Sequence, residues 1–130
     1  MSANHKEFSW PVRVYYEDTD AGGVVYYANY LKFYERARSE FLRQLGFEQD
    51  DLLEQNIVFV VRQATVDYIR SAGFNALLRV DSRIEQLKKA SLLFQQQIFA
   101  LDGERQTLVN QARVKVACVS ADSFKPTAIP

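Results

Sequence analysis

Residues 15–38 read YYEDTDAGGVVYYANYLKFYERAR, and the fold turns on the change of period inside that stretch. A two-residue alternation runs into three acids among four positions, Glu17, Asp18 and Asp20. Gly22 and Gly23 follow, then a short apolar run, then Tyr30, Tyr34, Ala37, Phe41 and Leu45 at helical spacing, widened by Leu31 and Leu42. That spacing predicts an amphipathic helix of about 18 residues, some 27 Å long. Gly46 sits where a left-handed residue would stop it. A helix this one-sided needs a sheet to lie against. The loop before it is chemically loaded. Its acids can move protons or attack a carbonyl carbon, and the unpaired N–H groups of a first helical turn can hold negative charge. Such a loop suits the active site of a small hydrolase.

Upstream, Phe8, Trp10, Val12, Val14 and Tyr16 alternate with more polar neighbours, which predicts a half-buried strand. Pro11 lacks an N–H and places that strand at an edge or a bulge. Downstream, residues 50–55 suit a short helical turn. Four strand patterns follow: Val58, Val60, Ala64, Val66 and Tyr68; Leu78, Val80 and Ile84; Leu92, Phe94, Ile98 and Ala100; and Leu108, Ala112, Val114, Val116 and Cys118. Asp102-Gly103 marks a turn between the last two. Residues 1–7 and 121–130 are expected to be irregular. One strand, one long helix and four long strands make an α+β plan, a curved antiparallel sheet wrapped around one helix in a single domain over 1–130. The sheet's long edges need covering, and dimerisation is one way to do it.

Sixteen basic and sixteen acidic residues give zero net charge, which argues against nucleic-acid binding through bulk charge. No apolar run approaches the ~18 residues that cross a membrane, and the opening MSANHKEFSW has no apolar signal core. A cytoplasmic setting is expected. One cysteine, Cys118, excludes an intrachain disulfide and a multi-cysteine zinc site; it suits a small core residue. His5 is the only histidine and lies in the polar start, which disfavours Ser-His-Asp chemistry. No residues cluster as metal ligands, so no metal or redox cofactor is implied.

The DTDAGGVVY block, with WPVRVYYE before it, YERAR after it, VFVVR, TVDY and the closing KPTAIP, resembles the hotdog-fold acyl-CoA thioesterases. More narrowly, it resembles the 4-hydroxybenzoyl-CoA thioesterase group and its Tol-Pal-associated (YbgC) branch. The resemblance implies a hotdog fold, a homodimer or homotetramer with sites at the subunit interface, and hydrolysis of a short-chain or aromatic acyl-CoA to free acid and CoA. CoA would enter only as part of the substrate, and acyl carrier protein is an alternative carrier. Asp20 falls on the family's catalytic carboxylate, a nucleophile or general base. The backbone N–H of Tyr27 falls on the position that polarises the thioester carbonyl. The Tol-Pal-associated branch usually has histidine there and the hydroxybenzoyl branch tyrosine, so a backbone role survives in this chain and an imidazole role does not. Lys88 and Lys89, with Ser91, fall where the hydroxybenzoyl branch meets the CoA phosphates.

Each of these residues also has a plainer reading. Asp20 is a common turn residue that bonds neighbouring N–H groups. Asp18 suits a loop-fixing role and Glu17 a solvated strand end. Gly22 and Gly23 allow a sharp turn and close approach to a ligand. Tyr26 and Tyr27 suit an acyl pocket or core packing. Glu35 on the helix is the second-choice carboxylate, or pairs with Arg36, Arg38 or Ser39. Lys88 and Lys89 suit a solvated hairpin tip. Arg62, on an otherwise apolar strand face, is structural or faces the site. The loop fails as a calcium-binding EF-hand, since Gly22 and Asn29 occupy positions that need an acid or amide and a glutamate. An aspartyl-phosphatase reading also fails, because the preceding strand alternates and the chain is short. The alternative to catalysis is a hotdog dimer that binds acyl carriers or envelope-assembly partners.

Overall fold

The computed structural model describes residues 7–130. The expectations for residues 1–6, including His5, lie outside the described residues. Five strands and two helices follow in the order β1 (Glu7–Arg13), α1 (Asn29–Gln44), α2 (Gln49–Glu54), β2 (Ile57–Tyr68), β3 (Leu77–Leu87), β4 (Ser91–Asp102) and β5 (Arg105–Ser120). The strands form one antiparallel sheet in the order β1-β3-β4-β5-β2. Pro11 therefore lies on an edge strand, opposite Arg79, where its missing N–H leaves no ladder bond unmade.

Helix α1 lies against the concave face. It buries Tyr30, Phe33, Tyr34, Ala37, Arg38, Phe41 and Leu42 against Leu78, Val80, Phe94, Ile98, Val114 and Val116. Gly46, at φ 98°, ends it in the left-handed region, as its position in the sequence suggests. The stripe is shifted from the predicted one. Leu31 is exposed, and Phe33 and Arg38 take the interior positions.

Two strand readings need correction. Tyr16 does not continue β1; it opens a single 3-10 turn, Tyr16–Asp18, and is 81% exposed. The cause is local: the Tyr15 N–H donates to Asp18 Oδ2 at 2.8 Å, which curls the chain out of the sheet. In β2 a bulge between Val61 and Gln63 flips the phase, so Phe59 packs on the core before it and Val66 after it. The single even-numbered pattern read from Val58 to Tyr68 crosses that bulge. Arg62 sits at the bulge and is exposed, so it is not a buried cation on an apolar face.

The last ten residues form no helix or strand, yet they are tied down. Ser120 N–H donates to Lys125 O, Thr127 N–H to Cys118 O at 2.9 Å, and Ile129 N–H to Lys89 O at 2.8 Å. Ile129 also packs on the core. Deleting residues 126–130 is expected to lower unfolding stability by about 2–3 kcal/mol, from lost backbone bonds and one half-buried aliphatic side chain. Urea denaturation would read the loss.

Buried polar groups link helix to sheet. Arg38 Nη1 donates to Gln96 Oε1 at 3.0 Å, and Gln96 Nε2 donates to Ser82 Oγ at 2.8 Å and to Tyr34 O at 3.1 Å. Tyr34 Oη donates to Asn110 Oδ1 at 2.6 Å. Burial lowers the Arg38 pKa to about 10, with Glu35 pulling the other way, so the side chain stays cationic at neutral pH.

Candidate active site

After β1 the chain turns out of the sheet and is stitched to the start of α1 before it becomes helical. Asp18 makes the stitch. Its backbone oxygen accepts from Tyr26 N–H and from Asn29 Nδ2, both at 2.9 Å, while its carboxylate holds Tyr15 N–H. The loop-fixing role predicted for Asp18 is the one it fills. Between these anchors the chain folds back on itself. Thr19 bridges Val25, Asp20 N–H donates to Val24 O, and Gly23 N–H donates to Asp20 O. Gly23 takes φ 79°, which a side chain would strain. A β-carbon on Gly22 would lie 3.2 Å from Asp20 Oδ1, so a larger residue there would press on the carboxylate.

Asp20 fills the turn role the sequence allowed and keeps part of its carboxylate free. Its Oδ1 accepts the Gly22 N–H at 2.9 Å, which is the turn role. The side chain is exposed, and among the described residues Oδ2 carries no hydrogen bond, which leaves one oxygen for chemistry. Val25 N–H donates to Ala72 O, and Val24 bridges Gly73, so the loop is also pinned to the segment that leads into β3.

The helix begins at Asn29, two residues beyond Tyr27, and Ala28 is its N-cap without a capping side chain. Among the described residues the Tyr27 and Ala28 N–H groups find no acceptor. They belong to the opening turn, where the helix dipole is positive. Tyr27 and Tyr26 are both exposed, with ring centroids 5.0 Å apart, and Tyr27 also meets Tyr68 edge-on at 6.0 Å. Tyr68 continues inward to Tyr30 at 5.9 Å. Tyr68 was read from the sequence only as a strand residue. It stands at the end of β2 with its ring at the mouth of the site.

Glu35 lies about 9 Å along the helix axis from Asn29, the first helical residue. It accepts a weak bond from Ser39 Oγ at 3.5 Å and lines a small cleft with Arg38 and Leu42. One of its expected partners, Ser39, is thus found.

The basic candidates are elsewhere. Lys88 and Ser91 close the β3–β4 hairpin, where Lys88 N–H donates to Ser91 O at 2.9 Å. Both line an open groove of about 310 Å³ with Gln63, Thr65, Arg113 and Lys115, on the sheet face turned away from α1. Lys89 does not line it; its backbone oxygen holds the tail. Among the described residues neither lysine pairs with a carboxylate. Lys115 escaped the sequence reading because a lysine on the polar phase of a strand looks like ordinary solvated surface. The whole length of β3, roughly 35 Å, separates this hairpin from the Asp20 end of the same chain. One chain brings together Asp20, Gly22, Gly23, Tyr26 and Tyr27; it does not bring Lys88, Lys89, Ser91 or Arg62 to them.

Comparison with known proteins agrees with this architecture. The profile of the thioesterase-like superfamily matches residues 14–130. The acyl-CoA thioesterase YbgC of Haemophilus influenzae is 51% identical over 125 residues, covering 95% of this chain and 88% of that one. Among solved structures, a probable thioesterase from Bartonella henselae is 38% identical with a TM-score of 0.84, covering 95% of this chain and 99% of that one. The 4-hydroxybenzoyl CoA thioesterase of Pseudomonas sp. strain CBS-3 has a TM-score of 0.87 at 18% identity, covering 96% and 94%, and shows the shared hotdog fold. Half of all positions matching along nearly the full length of both chains leaves little room for another lineage: this chain belongs to the thioesterase-like superfamily, in its YbgC branch.

Proposed function

We propose that this protein hydrolyses acyl-CoA thioesters to a free acid and CoA, with Asp20 as nucleophile or general base and the Tyr27 backbone N–H as oxyanion donor. The observation that carries the reading is the exposed Asp20 carboxylate on a loop that Asp18 ties directly to the opening turn of α1. The acyl-CoA thioesterase activity of the YbgC relative supports it. Water supplies the oxygen and the thiolate leaves as CoA-SH after taking a proton. As nucleophile, Asp20 forms an acyl anhydride that water then opens; as base, it takes the proton from the attacking water. The N–H at the helix start stabilises the oxyanion, a contribution of ~10²–10³ in rate for one donor. Thiolate is a good enough leaving group that no strong general acid is needed. The chemistry calls for no metal or redox group, and CoA enters as part of the substrate.

The working unit in this reading is a homodimer or a homotetramer of single-domain chains, for a geometric reason. The Tyr68 end of edge strand β2 lies beside Tyr27, while its Ile57 end pairs with Ser120, near the 88–91 hairpin. Antiparallel pairing of β2 with its copy about a two-fold axis sets Asp20 of one chain near Lys88 of the other. CoA then lies across the interface with its phosphates toward the hairpin. A short-chain or aromatic acyl group fits between the tyrosines at the helix start. No helix of the described residues is long and apolar enough to cross a membrane. The reading is completed by a cytoplasmic location, acyl carrier protein as an alternative carrier and an association with the Tol-Pal machinery.

A panel of short-chain and aromatic acyl-CoA esters, read by thiol release, tests the activity. Release from at least one class is expected; none from any would put a carrier-binding dimer in its place. The joint substitution Lys88→Ala and Lys89→Ala is expected to raise KM roughly tenfold for CoA esters and not for the matching pantetheine esters. Equal effects on both would remove the phosphate role.

A further inference from the structure

We propose that Asn110 is a specificity residue that holds a hydroxyl group on the acyl portion of the substrate, an inference that rests on the acyl-CoA hydrolase reading. Asn110 is fully buried, and its Nδ2 has no hydrogen-bond partner among the described residues. Its Oδ1 is occupied by the Tyr34 hydroxyl at 2.6 Å. A buried amide donor without an acceptor is costly, and native interiors rarely keep one unless water or a ligand completes it.

Its position says which ligand could arrive. Asn110 is the direct register partner of Tyr68 across β2 and β5, so their side chains are immediate neighbours. Tyr68 is about half exposed, and its ring touches Tyr27, at the opening of α1, and Tyr30. A single partly exposed ring thus lies beside the unpaired amide and reaches Tyr27, where the thioester is expected to sit. The phenols of Tyr30, Tyr34 and Tyr68 gather around this point. Burial, and then the proximity of Tyr68, Tyr30 and Asp67, holds the Tyr34 phenol protonated. An acyl group that enters past Tyr68 meets an aromatic wall ending in one unsatisfied amide.

A hydroxyl suits that end best. It accepts from Nδ2, and because it can also donate, it serves the amide in either orientation of its oxygen and nitrogen. An alkyl or plain aryl end leaves the amide unpaired, and a site built to bond a hydroxyl disfavours the analogue that lacks one. Water filling the position would satisfy Asn110 without any such discrimination.

Paired esters that differ by one hydroxyl make the test: 4-hydroxybenzoyl-CoA against benzoyl-CoA, and 3-hydroxybutyryl-CoA against butyryl-CoA. In the wild-type protein kcat/KM for the hydroxylated member of at least one pair should exceed its partner by about tenfold. Asn110→Leu, close in volume, should collapse that ratio to unity. Equal kcat/KM within both pairs for wild type overturns the proposal without any variant, and so does a preference that survives in Asn110→Leu. Failure to release CoA from any ester overturns the hydrolase reading beneath it instead.

Discussion

Asp20→Asn is expected to lower kcat by about 10²–10⁴-fold while leaving the fold and its stability essentially unchanged. The reason lies in the difference between the turn role of this side chain and the catalytic role proposed for it. The turn role uses only Oδ1, which accepts the Gly22 N–H at 2.9 Å. An asparagine oxygen accepts that bond equally well, and Asn is as much at home in such a turn as Asp. The neighbouring links, Asp20 N–H to Val24 O and Gly23 N–H to Asp20 O, are backbone bonds and do not see the substitution. What is lost is the negative charge and the basic oxygen. Asp20→Ala would be a poorer experiment, because it removes the turn bond as well and mixes geometry with chemistry. The measurement is thiol release under saturating ester, with circular dichroism and a thermal melt as controls. Wild-type turnover in a folded Asp20→Asn protein would leave Asp20 with its turn role alone and send the search to Glu35, in the cleft beside Arg38.

The largest expected effect on stability comes from Gln96→Leu. Gln96 is fully buried, and its amide is the hub of the network between helix and sheet. Its removal leaves the Arg38 guanidinium and the Ser82 hydroxyl without these partners, inside an otherwise apolar interface. Leaving a buried polar group unsatisfied typically costs about 1–3 kcal/mol, and more when it is charged like Arg38, a large share of the roughly 5–15 kcal/mol that holds a domain of this size together. The companion Arg38→Met should be milder, since it takes the charge away and leaves a neutral amide with two of its bonds. Urea unfolding of both variants, with wild type as reference, gives the order. A Gln96→Leu protein within about 1 kcal/mol of wild type would mean that Arg38 turns out into the cleft shared with Glu35.

The contrast between these two residues shows what could be read from the chain and what could not. The change from period two to helical spacing across residues 15–38 was enough for the strand, the loop, the helix and its stop at Gly46, and the alternation of four later segments was enough for the sheet. The acids of the loop were visible as residue types, and Asp18 could be told from Asp20 as the loop-fixing member. The buried polar network was harder because each of its members breaks a pattern without announcing why. Ser82, Gln96 and Asn110 all stand in the apolar phase of their strands, between Val80 and Ile84, Phe94 and Ile98, and Leu108 and Ala112. Arg38 stands next to Ala37 on the buried side of the helix. Four polar residues in core phase are a signal that they meet, but the phase gives no partner. The bulge at Arg62 was hidden for a related reason: an extra residue shifts phase, and Val58 to Tyr68 holds enough apolar side chains to look continuous in either register. The separation of Lys88 from Asp20 was out of reach, since it follows from strand length and order rather than from either residue.

Cys118 has its thiol pushed above its usual pKa by burial, and the closing segment of the chain lies across it, with Sγ 3.8 Å from Ala128 O. A maleimide or iodoacetamide reagent can reach that sulfur only when the segment lifts. The rate of alkylation in the intact protein is therefore a stopwatch for how often the end of the chain comes away from the sheet, readable by mass alone and without any engineered label.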